Sequence, residues 1–96
     1  MSRTIFKYPL QPGQRSLSLP RGSQVRSVIE QHGELVCYAE VDETESATEP
    51  HSFFVYGTGH TIRHNGGQVK FLGTVALDPH VFHVFHQPPT KGTNEL

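Results

Sequence analysis

Tryptophan is absent from this chain, cysteine and methionine occur once each, and no apolar run nears membrane-span length. A helical span needs ~20 apolar residues in a row. The lone Cys37 excludes an intrachain disulfide framework and suits a reducing compartment. The opening MSRTIFKYPL has no apolar signal core. Formal charge of −1 offers no bulk attraction to nucleic acid or to an anionic membrane. A sustained helical period is missing too, which argues against any helix of useful length. The expectation is a soluble intracellular protein of the cytoplasm, with no membrane contact, no direct nucleic-acid binding and no cofactor.

What is present is punctuation. Short apolar runs of strand length alternate with clusters of Gly, Pro, Asn and Asp, the mark of a small all-β domain. Ninety-six residues make one domain, one that buries only ~60–70% of its unfolded surface. Apolar residues form 34% of the chain, so six Phe and three Tyr carry much of the core.

Residues 4–10 (TIFKYPL) alternate and end near Pro9, as an edge strand or strand end does. Pro12-Gly13 is a turn pair. Residues 15–19 put Leu17 and Leu19 on one face and Ser16 and Ser18 on the other, and Pro20-Arg21-Gly22 breaks the run. Residues 23–31 are ambiguous. Val25, Val28 and Ile29 sit at helical spacing behind a Ser23 that suits an N-cap; as a strand, Val25, Ser27 and Ile29 share a face. His32-Gly33 and the strand-like 34–41 (ELVCYAEV) decide for a hairpin. Residues 42–50 (DETESATEP) read as a solvated loop and 51–57 (HSFFVYG) as a central strand. A turn-rich connection follows over 58–68. Residues 69–77 form a strand with Gly73 at a bulge, Asp78-Pro79 turns, and 80–86 (HVFHVFH) is the last strand. The sum is a single compact domain of about seven short, mostly antiparallel strands over 1–86, a sandwich or barrel. Residues 87–96 read as a flexible C-terminal tail.

Charge is split along the chain. Residues 1–29 hold Arg3, Lys7, Arg15, Arg21 and Arg26 and no acid, whereas 30–49 hold seven acids and no base. Two explanations stand: complementarity within the fold, or an acidic surface for a basic partner.

The pattern TIFKYPL, Leu-Pro-Arg-Gly before a Val-rich strand, FVYGTGH, LGTV and VFHVF, in this order, resembles a family of roughly hundred-residue proteins of bacteriophages and prophage regions. The resemblance covers nearly the whole chain. It brings no catalytic residues; it implies a small accessory product of a phage or mobile element. The acidic stretch 42–49 and the His-rich ending depart from the pattern, so any role they have is this chain's own.

Seven histidines invite a metal reading, and strand geometry argues against it. His80 and His86 share a face of a strand while His83 points the other way, and zinc needs ligands converging at ~2 Å. His60 and His64 would converge only on a helix. Surface and turn histidines, with one or two in the core, explain them better. Cys37 lies mid-strand, where a small apolar residue belongs, and not in the electropositive setting a reactive thiolate needs. Gly57-Thr58-Gly59-His60 lacks the spacing and following helix of a phosphate loop, although His60 and Arg63 there could hold an anion.

The expectation is therefore not an enzyme but an accessory factor that binds a host protein or protein complex. An inhibitor of a host defence complex such as CRISPR–Cas fits the phage-like context. The residues nominated for contact are Asp42, Glu43, Glu45, Glu49, Tyr56, His60 and Arg63. The alternative is a virion structural or assembly protein that forms a homo-oligomer.

Overall fold

The computed structural model describes residues 2–11, 13, 15–64 and 67–89. Seven strands follow one another: β1 (Arg3–Leu10), β2 (Ser16–Pro20), β3 (Gln24–Gln31), β4 (Glu34–Asp42), β5 (Thr48–Gly57), β6 (Lys70–Leu77) and β7 (His80–Gln87). They form two antiparallel sheets, ordered β1-β4-β3 and β2-β5-β7-β6. The sheets stack as a sandwich and do not close into a barrel. The smallest dimension, 17 Å, is that of two layers, whose planes pack ~10 Å apart.

The core fills from both inner faces. Leu35, Cys37 and Val28 of the first sheet meet Phe53, Val75 and Val84 of the second. Leu19 faces inward and fully buried, as the Leu/Ser alternation of β2 requires. Gly73 does sit at a register shift, between Phe71 and itself. A Cβ there would stand 3.0 Å from Val28 Cγ1, so glycine lets β6 approach β3 closely.

The ambiguous segment is a strand. Its hairpin turns on His32 (φ 53°) and Gly33 (φ 79°), two successive positive φ values of the kind a tight two-residue loop needs. Glu30 accepts a hydrogen bond from the Gly33 N–H at 2.7 Å and fixes it. The expected shared face of Val25, Ser27 and Ile29 is wrong, however. A bulge between Val25 and Ser27 shifts the alternation by one residue. Val28 is then buried and Ile29 is 42% exposed.

The expected loop over 42–50 is also shorter than its composition implies. Strand β4 runs through Asp42, and β5 begins at Thr48, with Glu49 opposite Leu19 and Pro50 opposite Ser18. Proline is tolerated because β7 pairs with β5 only from Ser52 onward, so the donor Pro50 lacks is not required. The last strand takes in Gln87 from the expected tail; residues 90–96 lie outside the described residues, as do Pro12, Gln14, Asn65 and Gly66 in the expected turns.

Candidate partner-binding site

Strand β5 is the axis on which the nominated residues are arranged. On one side β7 accompanies it from Ser52 to Gly57. On the other, β2 pairs with it only from Thr48 to Ser52, and the Phe53 N–H then donates to the Arg15 carbonyl at 2.9 Å. Beyond Phe53 no described strand covers that edge.

The chain after β5 folds back beside the open edge. Gly59 adopts φ 90°, a value glycine reaches without strain, and the His60 N–H donates to the Gly57 carbonyl at 3.0 Å. The Gly57 N–H donates in turn to His60 Nδ1 at 3.3 Å. An added Cβ at position 57 would meet His60 Cε1 at 2.8 Å, so glycine is what lets the His60 ring lie this close to β5. Tyr56 clamps the rest of the loop. Its hydroxyl oxygen accepts the N–H groups of Arg63 and His64, each at 3.2 Å, and its proton serves His64 Nδ1 at 2.8 Å. The His64 ring then packs on Phe54 and Phe85, with centroids 5.0 and 4.8 Å away.

This arrangement leaves a groove of about 620 Å³, lined by Arg15, Phe54, Tyr56, His60, Thr61 and Arg63 among others. A second cavity of about 510 Å³ enters between the sheets next to it, walled by Leu10, Leu35, Phe53, Val55 and Phe82. Arg15, Val55 and His60 line both. Val55 shows how the sandwich opens here: it lies on the inner face with Phe53, yet is 39% exposed where Phe53 is 1% exposed.

The arginines divide by partner. Arg3 and Arg26 both reach Glu40, at 2.9 and 2.7 Å, and Arg21 reaches Glu45 at 3.6 Å. Arg15 and Arg63 have no carboxylate partner among the described residues, and both face the groove. Part of the split in charge along the sequence is thus complementarity within the fold: among the early basic residues Arg3, Arg21 and Arg26 find glutamates, and Lys7 and Arg15 make no ion pair among the described residues.

The acidic nominees sit elsewhere and are mostly engaged. Asp42 accepts from the Thr44 hydroxyl and N–H at 2.7 and 2.9 Å; those bonds hold its carboxyl below the usual range. Glu45 accepts from the Ala47 N–H at 2.9 Å, and Glu49 from the Gly22 N–H at 2.9 Å. Glu43 is exposed. Glu49 and Tyr56 are seven residues apart on one strand, roughly 23 Å at the usual rise. The structure therefore brings Tyr56, His60 and Arg63 together and places Asp42, Glu43, Glu45 and Glu49 at the far end of β5.

The family model described as Domain of unknown function (DUF7352) matches residues 1–95. The chain belongs to that family. No curated protein and no solved structure matches. DUF7352 membership brings no activity with it, so the chemistry of the side chains must carry the reading.

In this DUF7352 chain Cys37 is fully buried, and burial pushes its thiol up to about 11, far from thiolate reactivity at neutral pH. His83 does point away from His86, bonding Thr58 and Thr74 on the outer face at 2.8 and 3.0 Å. Among the described residues no three His, Cys, Asp or Glu side chains converge on a metal position. Arg15 is the groove residue that sequence reasoning missed. Nothing in its local pattern separates it from the other early basic residues, because its isolation follows from where Arg3, Arg21 and Arg26 find partners.

Proposed function

We propose that this chain is a binding module that acts by non-catalytic association with a protein partner through the groove at the open end of β5. One observation carries this reading. Three of the five arginines pair with glutamates of the fold, Arg3 and Arg26 sharing Glu40, while Arg15 and Arg63, without a carboxylate partner among the described residues, converge with His60 on one groove. Uncompensated guanidinium groups in a concave site steer and hold an anionic surface. The contact residues are Tyr56, which positions the loop, and Arg15, His60 and Arg63, which line its mouth.

The resemblance to small phage-encoded proteins supports a host protein or complex as the partner, with inhibition of a host defence complex as the finer proposal. The acidic loop contributes less to this reading than its composition implies, since Asp42, Glu45 and Glu49 serve the fold. An affinity pull-down of the tagged protein from host lysate, read by mass spectrometry, tests the proposal. A stoichiometric partner lost on Arg63→Glu supports it, and the absence of any partner at stoichiometric level removes it.

A homo-oligomer is the second reading, favoured by edge strand β1, where Ile5 and Phe6 are 59% and 44% exposed. Light scattering at high concentration decides it: a monomer removes this reading.

A further inference from the structure

Resting on the homo-oligomer reading, we infer that a second copy of this chain pairs antiparallel with β1, edge to edge, about a twofold axis at Phe6. The backbone supplies the first part of the argument. The Glu43 N–H donates to the Ser2 carbonyl at 2.8 Å, in step with the Arg3↔Asp42 ladder. Bonding alternates along an antiparallel strand. Thr4, Phe6, Tyr8 and Leu10 therefore bond to β4, while Arg3, Ile5, Lys7 and Pro9 turn their backbone groups to the outer edge. Two further observations agree. The hairpin closed by His32-Gly33 pairs Gln31 with Glu34, which assigns Val36 and Tyr38 to β3 and leaves Leu35, Cys37 and Ala39 for β1. Pro9, which has no N–H to offer, falls on the outward series. Strand β1 is the end strand of its sheet, every residue from Ser2 to Gln11 is described, and no described strand lies beyond it. The Arg3 side chain does not guard this edge, since it leans back over β4 to Glu40 and to the Gly22 carbonyl, at 2.9 and 3.4 Å.

The side chains say what covers the edge. Phe6 shares the inner face with its register partner Ala39, yet it is 44% exposed where Ala39 is fully buried. At Phe6 the inner face of β1 outruns the cover of the second sheet. A strand laid beside β1 buries this ring, and the strand that fits is β1 itself. With Phe6 opposite its own copy, the two rings meet at a non-hydrogen-bonded pair, where side chains approach most closely, and aromatic pairs there stabilise a sheet. Ile5 exchanges both backbone bonds with Lys7 of the second copy, and the Arg3 N–H meets the second copy's Pro9 carbonyl. On the outer face the Lys7 stem covers Ile5, which is 59% exposed in the single chain. The two Lys7 side chains stand diagonally, not opposite. Neighbouring registers fare worse. An axis at Ile5 sets Arg3 against Lys7, and an axis at Lys7 sets two ammonium groups face to face; like charges directly opposite are destabilising. Axes at Thr4 or Tyr8 leave a shorter ladder. Lys7 and Pro9 are residue types that guard strand edges, and here they block the other pairings and leave this one. A twofold axis makes the contact isologous, so the assembly closes at a dimer with one continuous sheet through both copies.

The test uses the full chain. Sedimentation from micromolar to millimolar concentration is expected to show a monomer–dimer equilibrium. Ile5→Pro removes an outward N–H without touching a bond to β4, and weakens the dimer about tenfold or more. The variant's amide spectrum establishes that it folds; where it does not, a cysteine series decides alone. Phe6→Cys, oxidised with glutathione disulfide, links two copies, since opposite residues of a non-hydrogen-bonded pair have Cα atoms ~4.5 Å apart, within disulfide reach. Thr4→Cys and Ile5→Cys face Tyr8 and Lys7 in this register and do not link. Cys37 is fully buried and adds no background. A monomer at millimolar concentration overturns the inference together with the homo-oligomer reading. A monomer that loses a lysate partner on Ile5→Pro assigns the edge to a foreign strand and overturns it equally. A dimer that survives Ile5→Pro, or that links through position 4 or 5 as readily as through 6, overturns the edge pairing and leaves the homo-oligomer reading in place.

Discussion

His51 and His86 stack across the β5–β7 pair with ring centroids 5.1 Å apart and planes 14° from parallel. His51 Nδ1 lies 2.9 Å from His86 Nε2. His51 is fully buried, and its Nε2 has no partner. One hydrogen serves the contact, and burial of both rings favours the two neutral imidazoles. A hydrogen on Nδ1 of His51, donated to His86, leaves only a bare lone pair on the buried Nε2, which costs less than an orphaned N–H.

Stability should consequently fall with acid. Burial lowers the pKa of His51, against an opposing pull from Glu49. Burial and the neighbouring His51 bring His86 from 6.5 down to about 4. Above pH 6.5 neither the folded nor the unfolded imidazole binds a proton, and the full stability is present. Between 6.5 and about 4 the unfolded chain takes up protons that the folded chain refuses, so stability declines as pH falls. The expected loss is about 1–3 kcal/mol, since each tenfold difference in proton affinity between the two states is worth about 1.4 kcal/mol. Urea midpoints across this window measure it. A H51F/H86F double variant should flatten the profile between pH 6.5 and 5; an unchanged slope would place the titrating groups elsewhere.

Cys37 offers a separate check on the core. With no exposed surface and a thiol near 11, it should react with iodoacetamide only as fast as the fold opens. Labelling should accelerate to the rate of a free thiol in denaturant. Cys37→Ser buries a hydroxyl among apolar neighbours and should cost about 1–3 kcal/mol. Cys37→Ala should cost less, because it leaves only a small void. Equal losses for the two would mean that the serine hydroxyl finds a backbone acceptor.

The strands were legible in the sequence because their punctuation is local. The His32-Gly33 turn, the Leu/Ser alternation of β2 and the bulge at Gly73 each follow from residues within a few positions. The extra residue in β3 was not legible: nothing in QVRSVIEQ distinguishes a regular alternation from one shifted at Arg26. The shift depends on Val25 and Val28 both turning into the core, a tertiary choice. The site divides in the same way. Tyr56, His60 and Arg63 share one short stretch of chain, whereas Arg15 is defined by ion pairs that other arginines make with Glu40 and Glu45.

Gly73→Ala should be costly although its backbone is compatible with alanine. The added methyl meets Val28 Cγ1 at 3.0 Å, so β6 and β3 must separate or Val28 must move. Overpacking of this kind costs about 1–3 kcal/mol. Val28→Ala in the same chain should recover part of the loss, and a double-mutant cycle by urea denaturation reads the coupling. Strict additivity of the two losses would show that Val28 is not the obstacle.

Charge reversal in the acidic stretch should separate structure from recognition. Glu49→Lys removes the acceptor of the Gly22 N–H and Glu45→Lys the partner of Arg21, so both should loosen the turn after β2. The first should cost about 1 kcal/mol, the usual worth of a hydrogen bond, and the second at least as much, since it also removes the acceptor of the Ala47 N–H on top of an exposed ion pair worth ~0–1 kcal/mol. Glu43→Lys touches neither contact and should leave the urea midpoint unchanged. That variant is the clean probe of the loop as a contact surface. With the groove as the binding site, Glu43→Lys retains partner affinity in a pull-down while Arg63→Glu loses it. The opposite ranking would return recognition to the acidic end of β5 and make the groove a bystander.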